Sequence, residues 1–166
     1  MAAPVIFLDV DGVLCTPLSF RLNALLRREM EDQLFDPIAF FCLRRLVRQT
    51  GAVLVLSSSW RDALYSDDAV YHAIVDNLYA RLARNRTPIA DATPLLPYGD
   101  KSAEITAWLE GHPGTRYIIL DDMDCFEQQP AVRRHWVQIP ENGGLRRSGY
   151  RAALHKLRGD QNNDTV

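Results

Sequence analysis

At 166 residues, 47% hydrophobic and 24% charged, the chain can fill one domain with a real core but is too short for two independent ones. Its formal net charge of -2 means that the field of the whole molecule nominates neither nucleic acid nor a membrane surface as partner. No apolar run reaches membrane-spanning length, and three scattered cysteines (Cys15, Cys42, Cys125) make neither a disulfide framework nor a zinc site. No basic-then-apolar leader opens the chain, so a cytoplasmic protein is expected, in which the sequons at Asn85 and Asn163 carry no weight.

Val5 to Leu8 is a short apolar run of the kind found in strands buried on both faces, and it ends in Asp9, then Asp11 and Gly12. Acids at the tip of an apolar strand are costly without a cation or a proton to offset them. Cys15 to Phe35 mixes polar and apolar residues and reads as a flap, with a helix predicted across Arg21 to Leu34. Asp36-Pro37 is a cap followed by a proline at the first helical position, Gly51 is a stop, and Phe40, Leu43, Leu46 and Val47 make a stripe between them.

Ala52 to Leu56 is a second buried strand and runs directly into Ser57-Ser58-Ser59-Trp60-Arg61. Strand, helix and strand in succession imply a parallel pair. A helix follows over Val70 to Leu82, then a proline-bearing loop over Thr87 to Tyr98 with room for a short strand near Ile89. Asp100 caps a helix from Lys101 towards Gly111, and Tyr117 to Leu120 is a third apolar strand ending in Asp121, Asp122 and, close behind, Asp124. Trp136 to Ile139 is a fourth strand and Ser148 to Leu157 a last helix. The expected architecture is a single α/β domain over residues 1–158, a three-layer Rossmann-like parallel sheet, with 159–166 as a disordered tail.

If the sheet is parallel, Asp9/Asp11, Ser57/Ser58 and Asp121/Asp122 converge on one edge, where such sheets bind ligands. Several carboxylates with one lysine and a hydroxyl suit a hard cation, Mg²⁺, together with a phosphate. An ionised Asp9 can attack phosphorus, and Asp11 can give a proton to the leaving oxygen and then activate water. Mg²⁺ and Lys101 are expected to hold the pKa of Asp9 low. Arg61 either clamps the substrate phosphate or forms a surface salt bridge.

These residues resemble the haloacid dehalogenase superfamily. Asp9-Val-Asp-Gly-Val-Leu14 is similar to its first motif, the serine after Leu56 to its second, Lys101 to its third and Asp121-Asp122 to its fourth. The resemblance implies Mg²⁺ held by Asp9, by the main-chain carbonyl of Asp11 and by one of Asp121 or Asp122, with Asp124 a weaker candidate. It also implies phosphate bound at Ser57 or Ser58 and Lys101, and most often phosphatase activity. The Ser-Ser-Trp-Arg stretch and the Lys101 to Leu109 helix resemble, more narrowly, small domains of this type found near RNA-repair proteins.

Other readings fail or stay open. An Asp-x-Asp-Gly calcium loop would need further oxygen ligands where Val13 and Leu14 stand. The Cys-x5-Arg spacing at Cys15 to Arg21 suggests a cysteine phosphatase, but Pro17 removes a phosphate-cradling N–H. The four histidines have no ligand spacing. Neither gap between motifs holds a large cap, so a minimal or absent cap and an open site are expected, admitting a bulky phosphomonoester such as a nucleic-acid end or a phosphoprotein. Arg133, Arg134, Arg146, Arg147, Arg151, Lys156 and Arg158 face one acid, Glu141, and form either a solvated face or a phosphate-attracting rim. A phosphate-binding protein without turnover, and a phosphotransferase, are the alternatives to a hydrolase.

Overall fold

The structure is a computed structural model that describes residues 2–159; the tail expected beyond Gly159 lies outside these residues. In chain order the elements are β1 (Val5–Leu8), α1 (Pro17–Leu25), α2 (Pro37–Thr50), β2 (Val53–Leu56), α3 (Ala69–Arg84), β3 (Ile89–Ala92), α4 (Lys101–Glu110), β4 (Tyr117–Asp121), α5 (Pro130–Arg133), β5 (Trp136–Gln138) and α6 (Arg147–Gly159). Short 3₁₀ segments cover Met30–Asp32, Ser59–Tyr65 and Pro97–Gly99. The five strands form one parallel sheet in the order β3-β2-β1-β4-β5, with β1 at its centre.

The strands read as continuous apolar runs because helices cover both faces. Side chains alternate across the sheet. Ile6, Leu8, Leu54, Leu56, Ile118 and Leu120 enter a core shared with α2, α3 and α6. Val5, Phe7, Val55, Tyr117 and Ile119 enter a second core closed by Ile105 of α4 and Val132 of α5. There Phe7 meets the edges of Trp108 and Tyr117 with ring centroids 5.3 and 5.6 Å away. His112 and His135 stack on Trp108 and Tyr117 and serve as packing residues.

The helix predicted over Arg21 to Leu34 forms earlier and ends sooner. Thr16 caps it through a reciprocal box with Ser19, and Pro17 occupies its first turn. Arg27 then adopts a positive φ of 50°, and a 3₁₀ segment replaces the expected continuation. The flap is fastened down: Asn23 exchanges hydrogen bonds with the Leu34 backbone, and Asn77 and Arg81 of α3 hold Gln33 and Asp32. No separate cap domain stands over the strand ends among the described residues. The remaining strands and long helices lie where the apolar patterning puts them, including the short strand near Ile89 and the stop at Gly51, which takes up the left-handed conformation at φ 67°, whereas α5 is not among the expected elements.

One buried carboxylate joins three parts of this scaffold. Asp36 accepts from the Ile38 and Ala39 amides at the start of α2, from the Thr16 hydroxyl at 2.6 Å and from Arg146 at 2.6 Å. Burial alone would raise its pKa, but the Thr16 hydroxyl, Arg146 and the Ala39 amide outweigh burial and hold the carboxyl below the usual range. Replacing Asp36 by Ala is expected to cost about 2–4 kcal/mol in urea unfolding at neutral pH, through a lost cap and lost charge-assisted bonds. Because the folded pKa lies below the unfolded one, the ionised group stabilises fully above about pH 4 and its contribution drains away as the pH falls further. The gap between wild type and variant should therefore shrink in acid.

Candidate active site

The parallel register brings the strand tips to one level. Leu8 pairs with Leu56 on one side and Leu120 on the other, the Asp9 amide donates to the Leu120 carbonyl and the Ser57 amide to the Leu8 carbonyl. Asp9, Ser57 and Asp121 thus end neighbouring strands side by side. Lys101, in the first turn of α4, reaches across to this row. Its Nζ lies 2.6 Å from Asp121 Oδ2 and 3.2 Å from Asp9 Oδ1.

Asp9 and Asp121 are almost fully buried. Burial pushes Asp9 up to about 6; Lys101 opposes the rise, Asp121 adds to it and the Ser58 hydroxyl, hydrogen-bonded to Asp9, opposes it. Lys101 by itself therefore does not hold Asp9 low. Burial would also lower Lys101, but the two carboxylates overcome it and raise its pKa, so the ammonium stays charged. Asp122 is raised by burial and by Asp121.

One oxygen from each of Asp9, Asp121 and Asp122 lies within 4.8 Å of the other two. Hard carboxylate oxygens at this spacing, partly buried and short of positive charge, fit a small divalent cation such as Mg²⁺, whose ligands sit at about 2.0–2.1 Å. Gly12 makes the trio possible: it holds a φ of 69°, and a Cβ there would lie 1.8 Å from Asp122 Oδ2. Both acids of the last motif belong to the group, whereas Asp124 is paired with Arg133 outside it.

The Asp11 carboxylate stands apart from the trio. It is exposed, and its Oδ2 accepts from the Trp60 indole at 2.9 Å. Trp60 fixes Asp11 across forty-nine residues of chain, a contact that spacing could not show, although Trp60 stands immediately after the serines. Of those serines, Ser58 is bonded to Asp9, whereas the Ser57 hydroxyl is buried with no partner. Burial, Asp11 and Asp9 all push the Cys15 thiol far up, so it stays protonated and is no nucleophile.

Arg61 does not lie at the surface. It is buried, its guanidinium pairs with Glu104 and also donates to the Ser58 carbonyl at 2.9 Å. Its ion pair is buried, so a surface bridge does not describe it. Glu104 sits three residues after Lys101 on α4 and also accepts from the Leu96 amide. The pair ties the Ser58 backbone to the helix that carries Lys101. The Lys-x-x-Glu spacing was the available signal for Glu104.

Of the basic residues in the last third, Arg133 and Arg146 are spent on Asp124 and Asp36, and none of the seven lines the two cavities beside Asp11. Those cavities carry only acids as charged residues. No helix among the described residues is long and apolar enough to cross a membrane.

Replacing Arg61 by Met leaves the Glu104 charge buried and unpaired, and is expected to cost about 3–5 kcal/mol in denaturant unfolding. The double change of Arg61 and Glu104 to Met should recover part of that loss, and equal loss in both would mean that the pair is not the unit.

The chain matches the family described as "HAD domain in Swiss Army Knife RNA repair proteins" over residues 5–149. No curated protein matches it by sequence. Among solved structures, it resembles D,D-heptose 1,7-bisphosphate phosphatase from B. bronchiseptica, in complex with magnesium and phosphate. The TM-score is 0.55 at 16% identity, covering 94% of this chain and 99% of that one. A haloacid dehalogenase-like hydrolase from Streptococcus pneumoniae gives 0.50 at 12% identity, with 98% of each chain covered. The likeness in fold covers nearly the whole chain, and the family match extends from β1 into the first turn of α6. The chain belongs to the haloacid dehalogenase (HAD) domain family of Swiss Army Knife RNA repair proteins.

Proposed function

We propose that the protein is a Mg²⁺-dependent phosphomonoester hydrolase that works through an aspartyl-phosphate on Asp9 and acts on a bulky ester such as a nucleic-acid end. The observation that carries this reading is the buried Asp9–Asp121–Asp122 group with Lys101 against two of its members. When bound, Mg²⁺ would supply charge that lets an anionic phosphate approach these carboxylates.

The residues divide the work. An Asp9 oxygen attacks phosphorus, the bond from phosphorus to the ester oxygen breaks, and Asp11 gives its proton to that oxygen. Asp11 then takes a proton from water, whose oxygen attacks the phosphorus and frees Asp9 and inorganic phosphate. Asp11 suits this role because it is exposed and outside the metal group, with Trp60 fixing its orientation. Ser57 has an unspent hydroxyl for a phosphate oxygen, and Lys101 a second positive contact. The open strand ends, with no cap domain among the described residues, and the family's association with RNA repair support a bulky nucleic-acid substrate.

Aryl phosphate turnover with Mg²⁺ should disappear in Asp9→Asn and fall about 10²- to 10⁴-fold in Asp11→Asn. Chelation should abolish it and added Mg²⁺ restore it. Wild-type rates in Asp9→Asn would remove Asp9 as the nucleophile.

A further inference from the structure

A groove of about 770 Å³ opens beside Asp11, between the flap, Trp60 and the start of α3. Its walls include Phe20, Trp60, Tyr71 and Val70. Phe20, Val70 and Tyr71 are exposed, an unusual concentration of large apolar surface next to a polar centre. The Trp60 ring is held in place, with its indole N–H donating to Asp11 and its centroid 5.8 Å from that of Phe35. Asp11, Cys15 and Phe20 line both this groove and the cavity over Asp122, so the two spaces adjoin.

Two further observations say what would fill it. The charged residues of the groove are Asp11, Asp62 and Asp68, with no lysine or arginine. A run of phosphates is therefore repelled there, and an uncharged occupant is favoured. Gln33 also lines the groove, is more than nine-tenths buried, and its side-chain Nε2 has no hydrogen-bond partner. A buried amide donor left unpaired is costly, and an acceptor on the occupant relieves that cost. Aromatic walls with one placed polar group are the usual make-up of a small-ligand site.

We infer that this groove is the leaving-group subsite and takes the base of the nucleoside that carries the phosphate. Phe20, Trp60 and Tyr71 hold the ring by apolar contact, and Gln33 donates to an acceptor on it. The inference rests on the proposed hydrolysis at Asp9 and sharpens its substrate: the terminal base is recognised, and the phosphate backbone beyond it is not drawn into the groove.

Three esters separate the contributions: a nucleoside monophosphate, 1-naphthyl phosphate, which has a ring without acceptors, and glycerol phosphate, which has no ring. Tyr71→Ala should lower kcat/KM for both ring-bearing esters about 10-fold and leave glycerol phosphate unchanged. Gln33→Leu should lower the nucleotide alone, by about 5-fold. Equal losses on all three esters, or a wild type that handles glycerol phosphate as well as the nucleotide, would overturn the assignment. Titration of the free nucleoside into the wild-type protein, followed by NMR, decides the groove even if no ester turns over. Binding that Tyr71→Ala weakens supports the groove, and no binding at millimolar nucleoside overturns it. Failure of turnover with retained binding would instead count against hydrolysis at Asp9.

Discussion

The structure is built around the placing of acids at the tips of buried strands. β1 and β4 lie side by side in exact register, so Asp9 and Asp121 arrive at the same height in a region that water barely reaches. Like charges there are intolerable without compensation. Lys101 supplies part of it, from a helix first turn where a lysine is unfavourable unless anions face it. Burial still raises Asp9, so the lysine leaves part of that cost uncompensated. The centre is thus poised by an incomplete balance of charge, and Gly12 completes the geometry by letting Asp122 come close.

Around this centre, other charges act as fasteners. Asp36 binds the starts of two helices to the segment before α6, and Arg61 with Glu104 binds the Ser58 turn to α4. Both lie in the interior, where losing one partner strands the other, so they fix relative position more than they add net stability. Each connects parts of the chain that carry groups of the centre: Asp36 holds the loop that leaves Asp11, and Glu104 stands one turn from Lys101.

The surface that faces a substrate has a different character. The cavities beside Asp11 hold no basic residue, whereas the arginine-rich last third lies on other elements and is partly neutralised by Asp124 and Asp36. The groove among them combines aromatic rings and the Gln33 amide with three acids, Asp11, Asp62 and Asp68. No cap domain covers the strand ends among the described residues, and the groove beside Asp11 lies between the flap and the start of α3.

The sequence by itself determined the parallel α/β fold, most element positions and the arrival of Asp9 and Asp121 at neighbouring strand ends with Lys101 beside them. Apolar runs, caps and prolines are local signals, and alternation of strand and helix leaves few topologies. The flap helix was misplaced because Arg21 to Leu34 keeps helical spacing, while the deciding events were a capping box at Thr16 and a turn at Arg27. Only the tertiary structure decided that Arg61 turns inward to Glu104, that Trp60 holds Asp11, that Ser58 is spent on Asp9 while Ser57 is free, and that Gln33 lies unpaired in a groove. Each of these is a contact between side chains distant along the chain or a question of which way one side chain points. Spacing carries no information on either, because both are set by how the helices pack over the strand ends.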